Sequence, residues 1–159
     1  MNYYMKQKVF SWRDRFWIYD ENGREVYYVE GEIFSFGKKL HLYDPSGNEL
    51  VYIEEKLFSF KPRYALYRFG RQIAEVIKEF TFFRQRYTVE GLGWSVSGSF
   101  WAHEYEVYGA DGRALAAVSR EWFSLGDAYM IHVEDGIDEI NALATVLVID
   151  ACLEASQNN

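Results

Sequence analysis

The stretch Ile137–Leu153 constrains this chain more than any other. Asp135, Asp138 and Glu139 precede it, where a helix N-terminus favours caps and negative charge. Ile140, Ala142, Leu143, Ala144, Val146, Leu147, Val148, Ile149, Ala151, Cys152 and Leu153 then cover nearly every side of a helical wheel. A helix that is apolar all round must be buried all round. The unbroken run 142–149 holds eight residues and Asp150 ends it, against about 20 needed to span a bilayer. Thr145, Val146, Val148 and Ile149 are β-branched, so a buried strand is the alternative; length and the alanines favour the helix. Its place is inside something the other residues build.

That wall is written as a repeat. The phrase from Gly23 to Phe36 returns at 47–60, 70–83 and 112–125. Each copy carries aliphatic residues three and six places after its Gly: Val26/Val29, Leu50/Ile53, Ile73/Val76 and Leu115/Val118. A charged residue follows nine places on (Glu32, Lys56, Glu79, Glu121) and a large apolar one at ten (Ile33, Leu57, Phe80, Trp122). The spacing imitates a helix, but the units are rich in Val, Ile, Tyr and Phe and are bounded by turn residues, so they read as strands. A step of three puts the two aliphatics on opposite faces of a regular strand. One extra residue, a β-bulge, returns them to one face and bends the strand, as a small closed barrel requires.

In order, strands are expected at 6–11, 15–20, 23–36, 40–43, 47–60, 64–67, 70–83, 86–90, 94–100, 104–108, 112–125 and 128–134. Turns such as Asp44-Pro45-Ser46-Gly47 join them, and a tail at 156–159 ends the chain. About twelve antiparallel strands tend to close, because closure removes the edges. A barrel of that width needs a filling, and the helix at 137–155 is the plug. The expectation is all-β with one buried helix, as a single domain over 1–159 with its barrel at 1–136. The 19% aromatic content fits strands, and 159 residues suffice for one core.

The Tyr-x-x-x-Gly turns (Tyr19/Gly23, Tyr43/Gly47, Tyr108/Gly112), the Phe-Ser-Phe ends (Phe34–Phe36, Phe58–Phe60) and the terminal apolar helix together resemble the LURP-one-related (LOR) family. That family sits with the tubby C-terminal-like and phospholipid scramblase-like proteins, and the resemblance covers essentially the whole chain. It implies a twelve-stranded barrel around a C-terminal helix. For function it implies lipid-related roles among the relatives: phosphoinositide binding in tubby domains and action on membrane lipids in scramblases. No tubby headgroup site is matched residue by residue.

Alternate turns of a meander fall at opposite barrel ends. One end carries Arg13/Arg15, Lys38/Lys39, Lys61/Arg63 and Arg84/Arg86, eight of the 17 basic residues. The other carries Asp20, Glu21, Asp44, Glu90, Asp111 and Asp135, interrupted by Arg68 and Arg71. Such a rim suits an anionic phospholipid headgroup or a phosphorylated ligand, with Lys38, Lys39, Lys61, Arg63, Arg84 and Arg86 as candidate binding residues. Turn-tip cations are also ordinary solvated charges that discourage edge pairing. His41, His103 and His132 lack metal or catalytic spacing, and no P-loop, Rossmann or nucleophile-elbow motif occurs. A lone Cys152 in the apolar run reads as a buried thiol, and the five tryptophans as core or rim packing. The net charge of −7 argues against nucleic acid. The expectation is a non-enzymatic binding module without a cofactor or metal. The alternative is a protein–protein scaffold with no small ligand, which clustered exposed aromatics on one barrel face would favour. Without a signal segment or transmembrane span, the expected location is cytoplasmic, including the periphery of a membrane surface.

Overall fold

The computed structural model describes residues 1–6, 15–32, 36–81, 84–123 and 126–157; the side chains of 121–123, 126, 127 and 157 lie outside that description. The strands are β1 (Asn2–Lys6), β2 (Phe16–Tyr19), β3 (Glu25–Gly31), β4 (Lys39–Tyr43), β5 (Glu49–Glu55), β6 (Arg63–Arg68), β7 (Arg71–Glu79), β8 (Arg86–Glu90), β9 (Trp94–Ser99), β10 (Glu104–Tyr108), β11 (Ala114–Phe123) and β12 (Gly126–Val133). The helix α1 (Glu139–Gln157) follows. Each strand pairs antiparallel with the next, and β12 pairs with β1 to close the barrel. Closure leaves no sheet edge among these strands.

The repeat spacing is the mark of bulges. The pairing register slips at the same place in all four copies. Leu42 faces Val51 and Tyr43 faces Glu49, which leaves Leu50 as the extra residue. Val26, Ile73 and Leu115 are skipped in the same way. Each bulged aliphatic thereby joins the inward face with the residue six places after its Gly, and Val29, Ile53, Val76 and Val118 are buried.

The core is the helix and the inner wall around it. From Ile140 to Leu153 every helical residue except Asp150 is buried by residue exposure, against Ile18, Val29, Leu42, Ile53, Leu66, Val89, Val107 and Ile131 among others. Asp138 caps the helix, accepting the Ile140 and Asn141 N–H groups at 3.0 and 3.1 Å.

Two sets of strand limits differ from expectation. The repeat strands stop at Gly31, Glu55 and Glu79 rather than running on to Phe36, Phe60 and Phe83. In the second copy Phe58 takes a left-handed φ of 63°. Pro62 in the same loop has no N–H to extend the ladder. Phe83 itself lies outside the described residues. A strand also occupies Asn2–Lys6, with Tyr3 and Met5 facing inward, ahead of the one expected at 6–11. Residues 7–11 of that expectation lie outside the description.

Candidate binding surface at one end of the barrel

The helix gives the barrel two distinct ends. Its N-terminus is fixed at the end that holds the β6–β7 turn, where the Arg68 guanidinium donates to Asp138 at 2.7 Å and to Asn141 at 3.0 Å. Nearby Glu139 accepts from the Tyr27 hydroxyl at 2.6 Å and from the Tyr3 hydroxyl. Its C-terminus reaches the opposite mouth. There Lys38 Nζ donates to the Ala151 carbonyl at 3.0 Å. A pocket of about 360 Å³ lies there between the β5–β6 connection and Cys152, Ala155 and Ser156.

All six candidate cations fall at this second mouth, on three successive connections: Lys38 and Lys39 where β4 begins, Lys61 and Arg63 where β6 begins, Arg84 and Arg86 where β8 begins. Their side chains are not equivalent. Lys38 is committed to the helix, supplying positive charge near a C-terminus that has no basic residue in its last turn. Lys61 pairs with Glu79, and that hydrogen bond holds the Glu79 carboxyl below its usual range. Arg63 lies 3.7 Å from Glu75. Arg15 pairs with Glu30 at 2.7 Å and stacks over Tyr28. Arg13 is outside the described residues. The rim therefore interleaves cations with carboxylates. Lys39, Arg84 and Arg86 make no ion pair among the described residues, although Arg86 stands opposite Glu79 across β7–β8 and helps lower its carboxyl.

The same mouth carries a feature that, apart from Trp101, is expected within strands. Phe36, Phe58, Phe60, Phe80 and Trp101 are exposed there, as is Leu57. The rings of Phe36 and Phe58 lie 6.5 Å apart and those of Phe60 and Phe80 5.9 Å apart. The signal was present in the repeat: the Phe-Ser-Phe ends abut Gly37-Lys38 and Lys61-Pro62, which are turn residues.

Behind the mouth the barrel interior turns polar. The Asp150 carboxylate is sealed from solvent with no hydrogen-bond partner, and burial pushes it up to about 7. It lies within electrostatic reach of the Tyr87, Tyr105 and Tyr129 hydroxyls, all pushed up mainly by burial. Cys152 lines the mouth pocket, but burial pushes its thiol up to about 11 against the pull of Lys78, so the nucleophilic thiolate is scarce.

The histidines stay apart. His41 sits on the outer wall, stacked on Tyr52 and 3.0 Å from Glu49. His103 stacks on Tyr129, and burial lowers its pKa. His132 lies 2.6 Å from Asn2. Among the described residues no group of His, Cys, Asp and Glu is placed to hold a metal ion. Among the described residues no helix is long and apolar enough to cross a membrane. A groove of about 930 Å³ runs along β9–β11, lined by Ser97, Ser99, Glu104, Glu106 and Ser119 and, toward the mouth, by Arg84 and Trp101.

Comparison with known proteins agrees with this architecture. The family model described as LURP-one-related matches residues 1–150. A Bacillus subtilis protein named uncharacterized protein YxjI is 37% identical over 151 residues, spanning 94% of this chain and 92% of that protein. A crystal structure of an Arabidopsis thaliana protein superposes with a TM-score of 0.67 at 19% identity, over 95% of this chain and 90% of that one, which speaks to the fold.

Proposed function

This chain belongs to the LURP-one-related family, and from that premise we propose that it is a non-enzymatic binding module that docks onto an anionic phospholipid surface. The observation that supports this is the gathering of Lys38, Lys39, Lys61, Arg63, Arg84 and Arg86 at one mouth of a protein whose net charge is −7. Paired cations such as Lys61 and Arg63 hold the rim in shape. Lys39, Arg84 and Arg86 are available to phosphate oxygens and supply the attraction.

Co-sedimentation with phosphatidylserine-containing and neutral vesicles, at low and physiological salt, tests this. The informative variant is Lys39→Gln/Arg84→Gln/Arg86→Gln, since it leaves the Glu79 and Glu75 pairs intact. With about 1 kcal/mol per cation near the surface, binding to anionic vesicles should weaken on the order of 100-fold. Unchanged binding of the variant, or wild-type binding indifferent to lipid charge, refutes the role of the rim. A protein-interaction scaffold is the second reading. The exposed aromatics clustered at the mouth are the feature expected of it, and Glu104 and Glu106 in the groove on β9–β11 would suit a basic segment of a partner.

A further inference from the structure

We propose that the aromatic side chains at this mouth insert into the bilayer interface, so that docking is apolar as well as electrostatic; the inference rests on the lipid-surface reading above. Eight large hydrophobic residues are exposed among the described residues, and six share this one mouth: Phe36, Leu57, Phe58, Phe60, Phe80 and Trp101. The other two, Met1 and Phe69, belong to the opposite end. Exposure runs from 37% at Leu57 and 52% at Trp101 to 91% at Phe60 and 96% at Phe58. Side chains that far into solvent cost free energy unless something covers them.

Their placement identifies what covers them. The rings stand on four separate connections around the mouth, those after β3, β5, β7 and β9. Phe36 with Phe58 and Phe60 with Phe80 form two ring pairs, and Phe58 and Phe60 also border the pocket beside Cys152. A fluid interface closes around each projecting pair without a preformed match, whereas a folded partner would need a surface complementary to all four connections. Lys39, Arg63 and Arg86 are the first residues of β4, β6 and β8, one step behind the loops that carry the phenylalanines. Aromatic residues ahead and cations behind match the order of acyl boundary and phosphate layer. The Glu75 and Glu79 pairings also cancel part of the rim's charge. Attraction through the remaining cations alone would then be shallow and easily screened.

The test compares wild type with Phe58→Ser/Phe60→Ser and Phe58→Leu/Phe60→Leu, measuring partition onto phosphatidylserine/phosphatidylcholine vesicles from low to high salt. Wild type should keep a salt-resistant component of binding. The Ser pair should lose it, with partition falling roughly tenfold per ring, and the Leu pair should retain most of it. If binding vanishes entirely with salt and the Ser pair behaves as wild type, docking stands but insertion is overturned. If wild type ignores vesicles even at low salt, the lipid-surface reading itself fails and takes this inference with it. A wild-type protein that ignores vesicles but elutes as a dimer dispersed by the Ser pair would make the mouth an interface between copies and overturn the inference too.

Discussion

Asp138 does two things at one position. Its Oδ1 accepts the first free amides of the helix, and its Oδ2 accepts from Arg68 at 2.7 Å. Burial raises the carboxyl, but the Arg68 hydrogen bond and the helix amides outweigh that and leave it below its ordinary value. The residue thus ties the helix start to the β6–β7 turn, which sets how far the helix reaches toward the opposite mouth. The two roles separate by substitution. Asparagine caps as well as aspartate but carries no charge for Arg68; alanine does neither. Asp138→Ala should cost about 1–2 kcal/mol in urea unfolding, and Asp138→Asn clearly less. Equal losses would mean that the ion pair matters and the cap does not. The cap was legible in the chain, because Asp before an apolar run is a local signal. Arg68 as its partner was not, since a separation of 70 residues is closed only by the barrel.

At the scale of the element, the bulges and the buried carboxylate teach opposite lessons. A bulge is a matter of spacing along one strand, so four copies of the same three-step spacing disclosed it, and Val26, Leu50, Ile73 and Leu115 sit where the extra residue belongs. Asp150 was visible as the end of an apolar run, but its burial depends on which strands face that side of the helix. It lies inside, facing Tyr87 on β8, Tyr105 on β10 and Tyr129 on β12, with Glu154 one helical turn on. Burial and then the Glu154 charge raise it from the usual 3.8 to about 7. A carboxyl that binds its proton more tightly when folded gives its full stabilisation below the unfolded pKa, and loses it as pH climbs through the folded one. Between about pH 4 and pH 7, wild type should therefore lose stability relative to Asp150→Asn, by up to about 1.4 kcal/mol per pH unit. Urea unfolding of both proteins across that window checks it; the difference isolates Asp150 from Asp138 and Glu79, whose lowered values act in the opposite direction. Parallel pH profiles would show that the carboxylate finds compensation inside the barrel.

For the whole molecule, the barrel and the helix are each other's core. The gathering of the candidate cations at one mouth was legible, because alternate turns of a meander must share an end. The exposed aromatics were not, because phenylalanine at the close of a repeat reads as strand and tryptophan in a β-protein as packing. Nor were the Glu79 and Glu75 partners of Lys61 and Arg63, which come from cross-strand register rather than from neighbours in the chain. The same interdependence governs folding. The inward faces of the strands meet the helix, not one another, across a lumen too wide for their own side chains to fill. Removing the helix from its place leaves the wall without a core, so the two should unfold together. Leu147 lies in the middle of the plug, 1% exposed. Leu147→Asp puts an unpaired charge among apolar groups, at a cost that rivals the stability of a domain of this size. The expected result is loss of the cooperative thermal transition and of the near-ultraviolet circular dichroism that packed tyrosines such as Tyr64, Tyr87 and Tyr105 produce. Leu147→Met, which conserves volume and polarity, should melt cooperatively within a few degrees of wild type. A soluble Leu147→Asp protein with a sharp, native-like transition would mean that the barrel stands without its plug, and the mutual-core account would fail.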